Sequence, residues 1–198
     1  MKRIILFFLL LYSSISYSQY YIDAELHFID GTVKTGLAHI NISNDKIKFK
    51  KNIDSERISY NHNNIAKLIL KKDSIQKVFR YKKAKGRRAP RLLQLVVDHN
   101  KLSLYAAFTK YRPNGLISAL FDTTKIDYVF YLVKNQKDEA IYVGERGLTS
   151  KKRMSKVIKK YLGDCPELVQ KADKKEFKLK DIINIVEHYN SKCSLGTN

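Results

Sequence analysis

Alternation of apolar and polar positions dominates the first two-thirds of the chain, and a period near 3.6 replaces it in the last third. Residues 20–28 alternate loosely, Asp30-Gly31 supplies a turn, and extended character resumes at Thr32 and runs through Val33, Thr35, Leu37 and His39. After the Asn44-Asp45 break, Lys46-Ile47-Lys48-Phe49-Lys50 has an apolar side chain at every second position, as a half-buried strand requires. Asn61-His62-Asn63-Asn64 is polar turn material, and strands are expected at 65–70 and 75–81 around Lys72-Asp73-Ser74. A hairpin is expected over 92–111. Leu93, Leu95 and Val97 share one face on the way in, and Leu102, Leu104, Ala106 and Phe108 share one on the way out. Asp98-His99-Asn100-Lys101 makes its turn. Arg112-Pro113-Asn114-Gly115 breaks the run, and the last strands are expected at 126–133 and 139–143 around Asn135-Gln136-Lys137-Asp138.

Beyond Gly147, residues Met154, Val157, Ile158, Tyr161 and Leu162 recur at helical spacing, with Thr149 or Ser150 as cap. Asp164-Cys165-Pro166-Glu167 predicts a second helix start, with an acidic capper and Pro in the first turn. Ile182, Ile183, Val186 and Tyr189 stripe a third helix running to about Cys193. These elements predict an α+β fold: an antiparallel sheet, curled toward an open barrel, in a β-rich region at 19–147, followed by a small helical region at 148–198 that packs on it.

The first eighteen residues stand apart from this pattern. Lys2 and Arg3 precede an eight-residue apolar run at 4–11, and Ser16-Tyr17-Ser18 offers a small-x-small cleavage site between Ser18 and Gln19. The run is well short of the roughly 20 residues that span a bilayer, so it predicts an export leader. No cysteine stands at the cleavage point, which argues against a lipoprotein. The expected compartment is the periplasm rather than the extracellular space, because Ser194-Leu195-Gly196-Thr197-Asn198 does not look like a sheet-forming sorting domain. Cys165 and Cys193 have one possible pairing in such a compartment, and a disulfide between them is expected.

Charge changes the picture most. Removing Lys2 and Arg3 from the 38 basic residues leaves 36 against 19 acids, a formal +17 for the exported chain. Such a field attracts polyanions. A composition rich in Lys, Ile, Asn and Tyr accounts for the charge without any ligand. The feature that stands out is local: Lys77, Arg80, Lys82, Lys83, Lys85, Arg87, Arg88 and Arg91 fall within residues 77–91 with no acid among them, and Phe79 and Tyr81 interleave. Four of the chain's nine arginines are here, and Arg suits bidentate phosphate or carboxylate contact. Gly86 makes residues 82–89 read as a loop between strands, a place where binding residues gather. The alternative is a solvated loop. A second basic patch, Lys151-Lys152-Arg153 with Lys156, Lys159 and Lys160, occupies the polar face of the first helix. It reads either as a membrane-facing surface or as the solvated side of a helix packed on the sheet.

Catalytic and cofactor motifs are missing. His27, His39, His62, His99 and His188 show no metal-ligand spacing, although His27 and His39 would meet if they lay opposite across the first hairpin. There is no GxSxG or SxxK, and Gly144-Glu145-Arg146-Gly147 lacks the Lys-Ser/Thr of a phosphate loop. No cofactor and no metal is expected. The leader ending before Gln19, the phrase Lys101-Leu102-Ser103-Leu104-Tyr105, and Tyr161-Leu162-Gly163-Asp164-Cys165-Pro166 with Tyr189-Asn190 and Cys193 resemble uncharacterised exported proteins of the Bacteroidetes. The resemblance implies the compartment and the disulfide and carries no activity. The leading expectation is a non-enzymatic envelope protein that binds a polyanion (anionic lipid, lipopolysaccharide or acidic glycan) through the basic run. A structural or assembly subunit that docks on another envelope protein comes second, and a hydrolase with dispersed catalytic residues third.

Overall fold

The structure is a computed structural model describing residues 21–111, 125–145 and 147–193. The leader with its Ser18/Gln19 cleavage point, the break at 112–115 and the last five residues lie outside the described residues. Among the described residues ten strands carry the fold: β1 (Ile22–Phe28), β2 (Val33–Asn41), β3 (Lys46–Lys50), β4 (Ile58–Tyr60), β5 (Ile65–Lys72), β6 (Ile75–Ala84), β7 (Arg91–Val97), β8 (Leu102–Tyr111), β9 (Lys125–Lys134) and β10 (Glu139–Glu145). Three helices follow, α1 (Lys151–Tyr161), α2 (Pro166–Asp173) and α3 (Ile182–Lys192), with a short 3-10 turn at Leu179–Asp181. The α+β expectation is met. Among the described residues no helix is long and apolar enough to cross a membrane.

The strands form one sheet in the order β10-β9-β8-β7-β6-β5-β1-β2-β3-β4, antiparallel between neighbours. One further pairing changes its shape. The start of β10 runs parallel to the end of β6, Glu139 opposite Lys83 and Ala140 opposite Ala84, with Lys83 N–H donating to Asp138 O (2.9 Å) and Lys85 N–H to Ala140 O (3.1 Å). Strands β6 to β10 therefore close into a ring of pairings, and β1 to β5 extend from it as an open wing.

Each surface of this sheet is buried against something different. Inside the ring, Ala84, Leu93, Tyr105, Ala107, Tyr131, Val133 and Ala140 form a cluster to which all five strands contribute. On its outer surface Leu102, Leu104, Leu132 and Val143 pack against Met154, Ile158, Leu168, Ile185 and Val186 of the helices. The wing has its own core of Leu26, Ala38, Ile47, Phe49, Ile65 and Leu68, which meets Phe79, Leu92 and Phe108 on the ring's outer face. Ile47 and Phe49 are buried while the intervening lysines are not, as their alternation predicts. Burying side chains on both faces is what makes β7 and β8 read as nearly continuous apolar runs.

Several local expectations are corrected. Strand β6 extends to Ala84, so residues 82–84 are strand and the loop is only 85–90. A bulge between Leu95 and Val97 turns Val97 toward the helices while Leu93 and Leu95 face the ring interior, so the three do not share a face. β4 is a strand that residues 51–64 did not announce. In α3 Ile183 is exposed, and Ile182, Ile185, Val186 and Tyr189 make the buried stripe. Ser150 caps α1 by accepting from Arg153 N–H (3.2 Å), but the N-cap of α2 is Cys165 rather than an acid. Asp164 instead accepts from Lys134 Nζ (2.7 Å) and Tyr189 OH (2.6 Å). Burial alone would raise its carboxyl, yet those two hydrogen bonds hold it below the ordinary value. His27 lies opposite Val33, whereas His39 neighbours Tyr21 at the other end of the hairpin, so the two histidines do not meet.

Cys165 and Cys193 are bonded, joining the start of α2 to the end of α3 across a sequence separation of 28. Asn190 fastens α3 to β8 by accepting from Leu102 N–H (3.1 Å) and donating to Leu102 O (2.8 Å). Closing a loop of that length removes unfolded-state entropy worth about 3–4 kcal/mol. The Cys165→Ala/Cys193→Ala variant is therefore expected to lose about that much in urea unfolding. The parent under reducing conditions should fall by the same amount, and the variant should be indifferent to reductant.

Candidate functional site

One end of the ring is where β8 finishes and β9 begins. A cavity of about 460 Å³ lies there, lined by Ala84, Lys85, Arg87, Arg91, Thr109, Val129, Tyr131, Ile141, Tyr142, Glu145, Arg153 and Tyr161. Two devices in the sequence deliver its cations. Gly86, at φ +84°, lets the chain fold back after β6 so that Arg87 N–H reaches Ala84 O (3.0 Å), which places Lys85 and Arg87 at the rim. At the end of β10, the Thr149 hydroxyl donates to Glu145 O (2.8 Å) and accepts from Glu145 N–H (2.7 Å). That clamp sets the turn into α1, and Arg153 in the first turn of α1 lies over the Tyr142 ring (4.5 Å to the centroid) with Nε donating to Val143 O (3.2 Å).

Arg91 is the anchor. It is only 7% exposed, and its guanidinium donates to Tyr131 OH (3.1 Å), Phe108 O (3.3 Å) and Asp45 Oδ2 (3.4 Å). Asp45 comes from the β2–β3 turn of the wing, held there as Tyr81 OH donates to its carbonyl (2.6 Å). Burial pushes the Asp45 carboxyl above its ordinary value despite the opposing pull of Arg91 and Arg87. Burial likewise raises the Tyr142 phenol, with Arg153 opposing and Glu145 and Tyr131 adding to the rise, so the hydroxyl stays neutral and able to donate.

The eight cations of residues 77–91 do not act as one patch. Lys85, Arg87 and Arg91 reach the cavity. Lys82 points to the other end of the ring, 7% exposed, and donates to Lys137 O (3.0 Å) and Asp138 Oδ1 (3.3 Å). Arg80 lies beside the Tyr105 hydroxyl, whose pKa burial raises and Arg80 pulls back. Lys77 and Lys83 are exposed away from the mouth, and Arg88 turns to the wing side of the loop. Alternation along β6 turns Lys77 and Lys83 to the opposite face, while Arg80 and Lys82 share the inward face of Ala84 and are held deeper in the ring by Tyr105 and by Lys137 and Asp138. Sequence reasoning placed Arg153 in a separate helical patch and missed Tyr131, Tyr142, Glu145 and Asp45. No local pattern marks them, because ring closure and the β10–α1 turn bring them together.

No family model matches this chain, and comparison with curated proteins and solved structures found no match either. The chemistry must be read from the cavity itself. Among the described lining residues, arginine forks and tyrosine hydroxyls face one carboxylate, Glu145, and none is Ser, Cys or His. Such a set can hold an anion by charge-assisted hydrogen bonds, and its volume suits a small headgroup or sugar.

Arg91 and Asp45 are each other's charge partner, so removing one strands the other. Arg91→Met is expected to lose about 2–3 kcal/mol at neutral pH. The lone Asp45 will then have its folded-state pKa raised further, so the deficit should shrink as pH falls through that raised value and Asp45 takes a proton. Arg91→Met/Asp45→Asn should recover part of the loss at neutral pH and abolish its pH dependence. Urea midpoints across pH for the four proteins of the cycle measure this.

Proposed function

We propose that the protein is an exported, non-enzymatic binding protein that holds an anionic group of the cell envelope at the mouth of the β6–β10 ring. The observation that carries this reading is the convergence of Lys85 and Arg87 from the loop after β6, Arg91 from β7 and Arg153 from α1 on one cavity with a single acid among its described lining residues. Arginine is concentrated there, and its planar fork matches the oxygens of phosphate or carboxylate. Anionic lipid, lipopolysaccharide and acidic glycan all present such groups. Export to the periplasm is supported by the leader pattern in residues 1–18 and by the Cys165–Cys193 bond, since disulfides persist in oxidising compartments.

A docking role draws on a different observation. β4 is the outer strand of the wing and among the described residues pairs only with β3, while Ile58 on it and Ile53 before it are 50% and 65% exposed. An assembly partner would add at that edge. Binding at the mouth and docking at β4 lie on different parts of the sheet and are separately testable.

The test is co-sedimentation with phosphatidylglycerol vesicles and with phosphatidylcholine vesicles over a salt series. The parent should bind the anionic vesicles only, with binding that fades as salt rises. Lys85→Gln/Arg87→Gln/Arg153→Gln should lose binding. Lys77→Gln/Lys83→Gln/Lys180→Gln, which removes the same charge from exposed sites outside the mouth, should bind like the parent. Equal loss in both triple variants would refute a mouth site and assign the binding to net charge.

A further inference from the structure

A second cavity, of about 350 Å³, lies on the other side of the 85–90 loop, between that loop and the β2–β3 turn. Its charged lining is Lys46, Arg87, Arg88 and Arg91 against Asp45, with His62 and Tyr81 as its aromatic side. Arg87 and Arg91 also line the ring mouth, so the two cavities share these two arginines in their walls. An arginine fork has donors along more than one edge and can bond to oxygens on two sides at once.

The charge count indicates what the pair would hold. Among the described residues the two cavities are lined by six cations, Lys46, Lys85, Arg87, Arg88, Arg91 and Arg153, and by two carboxylates, Asp45 and Glu145, a formal surplus of +4. One phosphomonoester carries about −1.5 to −2 at neutral pH, so a single such group leaves half of that surplus unmatched and two nearly neutralise it. Separate anions in the two cavities would each bear the full cost of association, whereas the second contact of a linked pair is intramolecular. One molecule with two phosphate groups uses the shared wall from both sides.

We infer that the ring mouth and the loop-side cavity are two subsites of one site, which takes a ligand carrying two phosphate groups astride the 85–90 loop. The inference rests on the anion-binding reading of the mouth and adds the second subsite and the class of ligand. Arg88 and Lys46 serve the second subsite alone, Lys85 and Arg153 the first alone, and Arg91 braces both.

The experiment is calorimetric titration of the disulfide-bonded protein with inorganic phosphate, with an alkyl monophosphate and with alkane bisphosphates of graded spacer length. At one spacer length the bisphosphate should bind with one-to-one stoichiometry and at least about tenfold more tightly than the monophosphate, as expected when the second contact becomes intramolecular. Lys46→Gln/Arg88→Gln should reduce the bisphosphate to the affinity of a monophosphate held at the mouth. These residues are exposed, and an unaltered thermal midpoint will confirm that the fold is intact. If the monophosphate binds and no bisphosphate binds more tightly, the two-subsite inference is overturned while the mouth site stands. If two phosphates bind independently, the inference is also overturned. If nothing phosphorylated binds, the anion-binding reading itself falls.

Discussion

The short parallel pairing between the end of β6 and the start of β10 is the constraint on which the rest depends. Without it the sheet would end in a free β10 edge; with it, β10 has a partner on each side over its first residues. Ala84 and Ala140, 2% and 0% exposed, meet at that seam, and their small side chains let two backbones approach inside a filled ring. Closure then decides where each strand end lies. It puts the 85–90 loop beside the end of β10, and hence beside α1 and Arg153. A cationic cavity follows from the topology, although its residues come from scattered parts of the chain.

Concentrating positive charge in one mouth is unfavourable, and the surrounding packing holds it in place. α1 cannot swing away, because Met154, Val157 and Ile158 are sunk against the ring's outer face, and behind it the disulfide ties α2 to α3 and Asn190 ties α3 to β8. On the other flank Asp45 supplies a half-buried carboxylate to Arg91. The elevated pKa of that carboxyl shows that burial outweighs the attraction of the neighbouring arginines. A pair of this kind contributes little to net stability but fixes geometry, here the position of the wing's β2–β3 turn relative to the ring. That turn forms one wall of the loop-side cavity.

The strands were largely legible because half-buried strands leave a period-two signature: β3 could be read residue by residue, and so could the outbound half of the β7–β8 hairpin. The helical stripe of α1 and the Cys165–Cys193 bond were legible for the same reason, a strong local or compartment-level constraint. What escaped depends on contacts distant in sequence. A bulge reverses Val97, and no residue at that point announces it. The basic run looked like a flexible loop because Gly86 punctuates it, yet β6 continues through Lys82 to Ala84 and sends Arg80 and Lys82 into the ring. The candidate site was thus half visible: Lys85, Arg87 and Arg91 were named from the run, whereas Arg153, Tyr142 and Asp45 join them only after the sheet has closed.

The most direct measurement is a titration of the isotope-labelled protein with inorganic phosphate at constant ionic strength, followed through backbone amide and arginine Nε resonances. The account predicts that shifts concentrate on Lys85, Arg87, Arg91 and Arg153, with the amides of Tyr131 and Tyr142 responding beside them. The outer lysines Lys156, Lys159 and Lys160 should stay still. Shifts of similar size across the exposed lysines, with the mouth no different from the rest, would contradict it and leave the charge of this chain without a site.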